Sequence, residues 1–347
     1  MSTLKEMLGM NGGSFQKAEQ MALDFIAKGH TDVFLDLSLL FHAQGKIEGA
    51  RQALDQYAKI NPTCLLLKYA QKWFELHDGN LYAGFEHIET GRSIGILGTK
   101  AVALESPRWD GTTNIRDKTV VLVSEGGFGD QIMTARFAKH LNDMGVKVIV
   151  DCSSGLVSLF SRTPGATSVI TNECQRRGPS PSPEVDGNIS SGTNRRVHHD
   201  YHILSMNAFG FLNCTWDTLW TGQYIFPQEK LVEIWKRIIP KTPGVMNVGL
   251  RWAGNPKFEN AQFRRFPLAP FFRLTELPNV NFWSLQRDDH EAILPEKVTD
   301  LEPFLSTWEM TTAAISRMDL VISSCTAIAH LAGAMNIPTF VIVPAMT

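Results

Sequence analysis

The first quarter of the chain has the hydrophobic spacing of successive amphipathic helices. From residue 14 to residue 92, apolar runs with a helical period are separated by short polar turns, and strand-like alternation does not occur. The clearest stretch is FLDLSLLFHAQGKIEGARQALDQYAKINP, residues 34–62. The pattern predicts an all-α amino-terminal domain over residues 1–92.

A repeat is visible inside this helical segment. Gly45 and Gly79 lie 34 residues apart, and Ala50 matches Gly84 at the same offset. Bulky and terminal residues also fall where a tetratricopeptide unit places them, at Phe34, Leu37, Phe41 and Pro62. The segment therefore resembles one well-formed and two degraded tetratricopeptide repeats, with a plain helical bundle as the alternative.

Beyond a predicted linker over residues 93–118, strands and helices alternate. TVVLVS is a short buried-strand pattern, GDQIMTARFAKHLNDMG is one amphipathic helix, and VKVIVDC is a second strand, which together predict a β-α-β unit. Further strands are predicted at SVIT and YHILS. Between these two strands, residues 172–200 are polar and rich in Pro, Gly and Ser, which predicts a mobile loop.

A second block of the same kind begins near residue 245, with strands predicted at VMNVGLRWAG, VNFWSLQ, DLVIS and IPTFVIVP and a helix at CTAIAHLAGAMN. The two blocks predict an α/β fold with two Rossmann-like domains, residues 119–240 and 241–347, facing a cleft at the carboxyl ends of their strands. The sequence stops at Thr347 soon after a strand. Because a closed domain of this kind normally has another helix or two, we expect that the second domain is either truncated at its carboxyl end or ends unusually early.

The turn in SEGGFGDQ joins the first predicted strand to its helix and contains Gly126, Gly127 and Gly129. Such a turn is one mark of a dinucleotide site, and Asp151 ends the next strand, where a ribose-binding acid would lie. The spacing argues against this function, because Ile132 occupies the position of the third glycine. An oxidoreductase with a nicotinamide cofactor therefore stays only as an alternative.

Asp130 stands at the start of the helix that follows this turn. Glycines allow another molecule to approach the backbone closely, and a carboxylate at that place can act as a base toward it. The sequence thus predicts an acceptor site beside Gly126, Gly127 and Gly129 with Asp130 as the base. The alternative is that Asp130 only caps its helix.

Three other stretches place anion-binding groups at the carboxyl ends of predicted strands. In GLRWAGNPKFENAQFRRFPL, a turn leads into a cationic loop suited to a diphosphate, with polar side chains at Asn255, Lys257, Arg264 and Arg265. In SSCTAIAHLAG, hydroxyls precede a helix whose amino terminus favours an anion, at Ser323, Ser324 and Thr326. Gln286 ends a strand on the same side. The alternatives are that the cationic loop is a solvated basic turn, that the hydroxyls only cap the helix, and that Gln286 is a surface amide.

The motifs PRWDG, EGGFGDQIMTARF, GLRWAGNP, RRFPL, WSLQ and AIAHLAGAMNIPTFVIVP occur in an order that resembles the tetratricopeptide-containing glycosyltransferases related to the bacterial heptosyltransferases. The resemblance covers roughly residues 30–347. It implies the GT-B fold, a nucleoside-diphosphate sugar bound mainly by the second domain, an acceptor bound mainly by the first, and transfer of a hexosyl or heptosyl group.

The resemblance also implies roles for individual residues. Asp130 corresponds to the acid proposed as general base in the heptosyltransferases, and Arg264 falls where those enzymes place a cation on the donor phosphates. Asp130 would deprotonate the acceptor hydroxyl as it attacks the anomeric carbon, which gives inversion by a single displacement. Retention stays open, because the sequence does not fix the pose of the donor.

The pyrophosphate-binding helix of that family carries the signature Asp-Thr-Ala-x-x-His-Leu-Ala, which Thr326, Ala327 and His330 match. Cys325 replaces the aspartate, so the identity of the donor is not inherited. His330 is expected either to touch the donor or to pack between the domains. The departure at Cys325 also supports an alternative function, a non-catalytic tetratricopeptide scaffold with a degenerate transferase domain.

Metal and cofactor sites are not indicated by the residue pattern. The chain contains no Asp-x-Asp motif, which predicts a metal-independent transferase without a cofactor. His198, His199 and His202 lie close together in HHDYH, but they occur where a loop enters a strand and no carboxylate cluster accompanies them. The cysteines are odd in number and scattered, which predicts reduced and mostly buried thiols, at Cys64, Cys152, Cys174, Cys214 and Cys325.

Charge and terminal sequence bear on partners and location. A formal net charge of -2 gives no general attraction to nucleic acid. The start lacks a secretory signal and no run of 18 apolar residues occurs, so we expect a cytoplasmic protein without a membrane span. The amino-terminal repeats are expected to hold a protein partner or acceptor. Protein, lipid-linked glycan and modified nucleic acid all stay open as acceptors.

Overall fold

The structure is a computed structural model, and the residues that it describes are 14–95, 106–171, 197–255, 264–287, 289 and 293–343. Most of the loop predicted over residues 172–200 lies outside the described residues, as do Lys257 and Cys174. Within the described ranges, helices precede two parallel sheets, which confirms the predicted fold class. The domain boundaries stay a prediction.

Residues 14–95 form an amino-terminal helical unit, α1 to α5. Its helices span Phe15–Ala27, Val33–Ala43, Ile47–Ile60, Leu65–His77 and Leu81–Ser93. None of the helices in the described part of the chain is long and apolar enough to cross a bilayer.

The helical unit repeats a two-helix hairpin at the predicted period. Helix α2 packs on α3 and helix α4 packs on α5, while α3 and α5 begin at Ile47 and Leu81, 34 residues apart. Gly45 and Gly79 occupy the two equivalent turns with φ of 72° and 82°. Because side chains rarely adopt this left-handed conformation, glycine is needed at both turns. The helices therefore fit the predicted tetratricopeptide-like repeat.

Lys72 is a buried cation in this helical unit. The residue is 5% exposed on α4, and its ammonium lies 3.3 Å from the centre of the Tyr69 ring and 4.3 Å from that of Trp73. Burial lowers the pKa of Lys72 to about 7, because the charged form loses its hydration. The two aromatic faces offset part of that cost.

Lys72→Met is expected to raise the free energy of unfolding by about 2–4 kcal/mol at pH 7. Between pH 7 and pH 10.5 the unfolded chain binds more protons at Lys72 than the folded protein does, so the wild type gains stability as the pH rises. The advantage of the variant should therefore shrink toward pH 10.5. Urea unfolding at both ends of this range measures the effect.

Lys68→Met is the control, because Lys68 is exposed on the same helix. Its effect should stay within about 0.5 kcal/mol at either pH. Equal effects of the two substitutions would show that burial of Lys72 does not limit stability.

The first sheet unit runs from residue 106 to residue 226 within the described ranges. Its strands and longer helical turns are β1 Thr119–Val123, α6 Phe128–Ala135, α7 Phe137–Asp143, β2 Lys147–Asp151, α8 Val157–Phe160, β3 Ala166–Ile170, β4 Tyr201–Leu204 and α9 Ala208–Phe211. All pairings in this sheet are parallel, in the order β3-β2-β1-β4.

The second sheet unit follows it. Its elements are α10 Glu229–Ile238, β5 Met246–Arg251, α11 Ala269–Phe272, β6 Val280–Ser284, β7 Val298–Asp300, α12 Trp308–Ile315, β8 Leu320–Ser324, α13 Ala327–Ala334 and β9 Thr339–Ile342. The parallel sheet has the order β7-β6-β5-β8-β9. Strands β1 and β5 are each flanked on both sides, so the loops after them open at the carboxyl edge of the sheet.

Two features of the sheet units differ from the expectation. The helix predicted over residues 129–145 is divided into α6 and α7 at Arg136, whose guanidinium donates to the carbonyls of Met133 and Trp220 and to the Tyr224 hydroxyl. Strand β7 was not predicted, because its three residues are too short to show a period.

The two sheet units contact each other at several points. Arg162 after α8 forms an ion pair with Glu309 of α12, with a shortest N–O distance of 2.7 Å. Phe128 at the start of α6 packs against Trp308 at the start of α12, with ring centres 5.1 Å apart. These contacts bring the first turn of α6 to the second sheet unit.

Candidate active site

Asp130 is the third residue of α6 and is half-buried. Its Oδ2 accepts a hydrogen bond of 2.8 Å from the backbone N–H of Gly127. Gly126 has φ of 67°, and a Cβ at that position would overlap the Asp130 carboxylate. Asp130 therefore caps its own helix. The same hydrogen bond fixes the direction of the carboxylate, whose second oxygen this bond does not use.

Gln131 also holds this turn, and it is not among the site residues predicted from the sequence. The side chain is buried, its Nε2 donates to the Ser153 hydroxyl at 2.9 Å and to the Gly126 carbonyl at 3.3 Å, and its Oε1 accepts from the Ser153 backbone at 3.0 Å. The turn after β1 is thus tied to the turn after β2.

Gly129 brings this turn against α13 of the second sheet unit. A Cβ on Gly129 would lie 2.9 Å from Cδ2 of His330 and 3.3 Å from Cα of Ala327. Only a residue without a side chain permits this approach. The structure therefore places an acceptor-side glycine predicted from the sequence next to two residues predicted for the donor.

Gly129→Ala is expected to lower the free energy of unfolding by about 1–3 kcal/mol, because the added methyl group overpacks the contact with α13. Gly333→Ala is the matched control, since a Cβ there meets no atom within 4 Å. That substitution should raise stability by about 0.5–1 kcal/mol through helix propensity. Thermal and urea unfolding measure both, and equal stability of Gly129→Ala and wild type would contradict the close packing of α6 on α13.

His330 lies among the charges of both sheet units. Burial lowers its pKa, the Asp130 carboxylate raises it, and the guanidinium groups of Arg136 and Arg264 lower it further. The net direction is downward, so the imidazole is neutral at pH 7. Asp130 and Arg264 are therefore both close enough to act on the same side chain.

The amino terminus of α13 lies close to Gly129, which approaches Ala327 in its first turn. Thr326 precedes the helix, and no side chain caps it. Ser323 donates to the Ser324 carbonyl at 2.7 Å and lies 3.1 Å from the Thr326 hydroxyl. The Ser324 hydroxyl is buried without a hydrogen-bond partner among the described residues. Uncapped backbone N–H groups at a helix amino terminus attract an anion.

Residues around the loop after β5 converge on α13. Arg264 is half-buried, and its Nη2 donates to Sγ of Cys325 at 3.5 Å. A Cβ on Gly254 would lie 3.4 Å from the Thr326 methyl group. Asn255 follows Gly254 and is exposed. The predicted donor residue Lys257 lies outside the described residues.

Gln286 is a buried amide that fastens the loop after β5. Its Oε1 accepts from the backbone N–H groups of Trp252 at 3.3 Å and Ala253 at 3.0 Å, and its Nε2 donates to the Arg287 carbonyl at 2.8 Å. The surface-amide alternative is therefore wrong. A direct contact between Gln286 and a donor stays a prediction.

Two further residues considered in the sequence analysis have defined surroundings. Ile132 is fully buried in α6, where the dinucleotide fingerprint needs its third glycine. His202 lies on β4, with Nδ1 3.0 Å from the Ser106 carbonyl. Within the ranges that the structure describes, no group of three or more His, Cys, Asp and Glu side chains has the arrangement of a metal site.

A cavity of about 630 Å³ lies at the other edge of the second sheet. Its lining includes Lys241, Met246, Asn279 and Asp319. Because these residues lie at the amino ends of β5, β6 and β8, the cavity is away from the residues described above and from the edge where doubly wound sheets bind ligands.

No protein family model matches the chain, and no curated protein matches it. Among solved structures, a family 9 glycosyl transferase from Veillonella parvula is 14% identical over 67% of this chain and 82% of its own, with a TM-score of 0.48. The ADP-heptose lipopolysaccharide heptosyltransferase II of Escherichia coli is 14% identical over 65% and 84%, with a TM-score of 0.45.

A third similar structure is the dodecameric iron-containing heptosyltransferase TibC of enterotoxigenic E. coli, in complex with ADP-D-β-D-heptose. It is 12% identical over 71% of this chain and 64% of its own, with a TM-score of 0.46. These three solved structures are a family 9 glycosyl transferase and two heptosyltransferases, and the resemblance concerns the fold.

The iron in TibC corrects one expectation. The lack of an Asp-x-Asp motif predicts that the protein holds no metal, but a similar structure is described as iron-containing. The prediction of no metal is therefore wrong. The physical reason is that Asp-x-Asp is only one arrangement of ligands, whereas iron is also held by histidine and cysteine side chains.

Proposed function

We propose that the protein is a glycosyltransferase of GT-B type that moves a sugar from a nucleoside-diphosphate sugar to an acceptor hydroxyl. The observation that carries the proposal is the close approach of Gly129 to α13. Because of this contact, the Asp130 carboxylate of the first sheet unit lies near the amino terminus of α13 in the second sheet unit, which no side chain caps. A base and an anion site side by side are what transfer from a sugar diphosphate requires.

The base in this proposal is Asp130. The glycine turn gives the acceptor access to the carboxylate, while the Gly127 N–H keeps that carboxylate oriented. Asp130 takes the proton of the acceptor hydroxyl as the hydroxyl oxygen forms a bond to the anomeric carbon. The bond between the anomeric carbon and the phosphate oxygen breaks, and the electron pair leaves with the nucleoside diphosphate.

The leaving diphosphate gains negative charge in this step. Arg264 supplies a guanidinium beside Cys325, and the first turn of α13 supplies uncapped backbone N–H groups. The buried Ser324 hydroxyl is a further polar group at the start of that helix. Donors placed before the reaction stabilise such charge without reorganisation, which lowers the barrier. We assign these groups, with Asn255 and His330 beside them, to the donor.

The amino-terminal helical unit has a separate role in the proposal. Stacked helical hairpins present an extended surface that suits a protein segment. We assign this unit to holding a protein partner or acceptor, and the acceptor class is to be found by experiment.

Calorimetric titration of the full chain with a panel of UDP-, GDP- and ADP-sugars tests the proposal, followed by an assay for nucleoside diphosphate release with candidate acceptors. Binding of one donor and its turnover are expected. If none of the donors binds, the protein is not a transferase. Binding without sugar transfer to any acceptor would favour the non-catalytic scaffold, and binding of a nicotinamide cofactor would favour an oxidoreductase.

A further inference from the structure

A buried ion pair joins the helical unit to the turn that carries Asp130. Arg92 lies in the last turn of α5, with a side chain that is 9% exposed, and its Nε and Nη2 both donate to Oε1 of Glu125. The Glu125 side chain is 4% exposed and the residue immediately precedes Gly126. Two charges from different units are therefore removed from water together.

The Arg92 guanidinium is fixed by acceptors on two sides. Its Nη1 donates to Glu89 at 2.7 Å and to the Asn207 side chain at 2.6 Å. Glu89 also accepts two hydrogen bonds from Arg108, which together with Arg92 lower the pKa of Glu89 to about 2. Because the N–H groups of a guanidinium point in fixed directions in one plane, these acceptors define a single orientation of Arg92.

Glu125 is held from a third direction as well. Its Oε2 accepts a hydrogen bond of 3.0 Å from the backbone N–H of Met206, in the segment after β4. The chain then continues directly into Gly126 and Gly127, and the Gly127 N–H holds Asp130 at 2.8 Å. Covalent bonds and hydrogen bonds therefore connect Arg92 to Asp130 through the glycine turn.

Helix α5 also packs against the first sheet unit close to this ion pair. The Phe85 ring of α5 stacks on Phe209 of α9, with ring centres 3.8 Å apart and an interplanar angle of 7°. Phe209 in turn meets Phe137 edge to face at 4.7 Å. The last helix of the repeat is thus part of the core of the first sheet unit, so the two units form one packed body at this point.

We propose that Arg92 and Glu125 are positioning residues that hold the glycine turn, and through it Asp130, against the helical unit. The helical unit is then a structural part of the acceptor site and not only a surface for partners. The consequence for catalysis rests on the proposed function, whereas the order of the turn does not depend on it.

The test is the double variant Arg92→Met, Glu125→Gln. Removing one partner alone would leave a buried charge unpaired and endanger folding, while removing both charges avoids that penalty. Hydrogen exchange of the turn segment, residues 124–131, is read by mass spectrometry, and steady-state transfer is measured in parallel. The single variant Arg92→Lys keeps the charge and loses the planar fork, so it should give an intermediate result.

In the double variant, exchange of the turn segment is expected to rise at least about tenfold, while α13 exchanges as in the wild type. Turnover should fall at least about tenfold with the donor KM within about twofold, because the donor side is not disturbed. Arg51→Gln is the matched control. Arg51 pairs with Asp78 inside the helical unit, and its loss should leave the exchange of the turn unchanged.

An unchanged turn in the double variant would overturn the proposal. Exchange that rises equally over the whole chain would also overturn it, because the pair would then serve only stability. If the turn loosens selectively and neither wild type nor variant transfers a sugar, the proposed function fails while the positioning of the turn by Arg92 and Glu125 is supported.

Discussion

Asp130→Asn is expected to lower turnover by about 10²–10⁴-fold, the contribution of a well-placed general base. The amide oxygen of asparagine can still accept the hydrogen bond from Gly127, so the turn and the start of α6 should keep their form. The amide cannot take a proton from the acceptor hydroxyl. Donor affinity, measured by calorimetry, should therefore stay within about twofold while initial rates of transfer collapse.

The control for this substitution is Asp143→Asn. Asp143 lies at the end of α7, with an exposed side chain that pairs with Lys139 at 2.7 Å. Because exposed ion pairs contribute little, turnover and stability should both stay close to wild type. Normal turnover of Asp130→Asn would remove Asp130 from the role of base, and a matching loss of donor affinity would assign it to donor binding instead.

Arg264→Ala is expected to weaken binding of the nucleoside-diphosphate donor by about 30–100-fold, which corresponds to about 2–3 kcal/mol. The guanidinium lies beside Cys325 at the start of α13, where the phosphates are proposed to bind. Its loss removes a charge-assisted hydrogen bond that water replaces poorly. Titration with the nucleoside diphosphate alone measures this effect without the sugar.

Arg265→Ala provides a matched control one residue away. The Arg265 guanidinium is half-exposed and pairs with Asp289 at 3.1 Å. Its removal changes the net charge equally but should weaken donor binding by no more than about threefold. Equal losses in the two variants would mean that general charge attraction binds the diphosphate, and the assignment of Arg264 would fail.

The sheets could be predicted because a buried parallel strand carries an almost continuous apolar run between turn signals. Residues Val120–Val123 of β1 are fully buried, and the unbroken apolar run in TVVLV indicates this burial. The break between α6 and α7 could not be predicted. It occurs where Arg136 bonds Trp220 and Tyr224, which lie more than eighty residues away in sequence.

Some features of the candidate site could likewise be predicted from the sequence, and others could not. The place of Asp130 and of the hydroxyls before α13 follows from local motifs, because carboxyl ends of parallel strands share one edge. The contact of Gly129 with His330 depends on how the two sheet units pack, which has no local signature. Glu125 did carry a signal. A carboxylate directly after the predicted buried strand TVVLVS requires a partner, and only the structure identifies Arg92.

The approach of Gly129 to α13 limits how freely the two halves of the molecule can be exchanged. A hybrid that joins residues of the first sheet unit to the second unit of another protein would need a surface that fits against Gly129, as the Ala327 backbone and the His330 ring do here. A larger side chain at that place would hold the halves apart and separate Asp130 from the proposed diphosphate site. Exchange of donor specificity between relatives therefore requires that both surfaces of this contact be transplanted together.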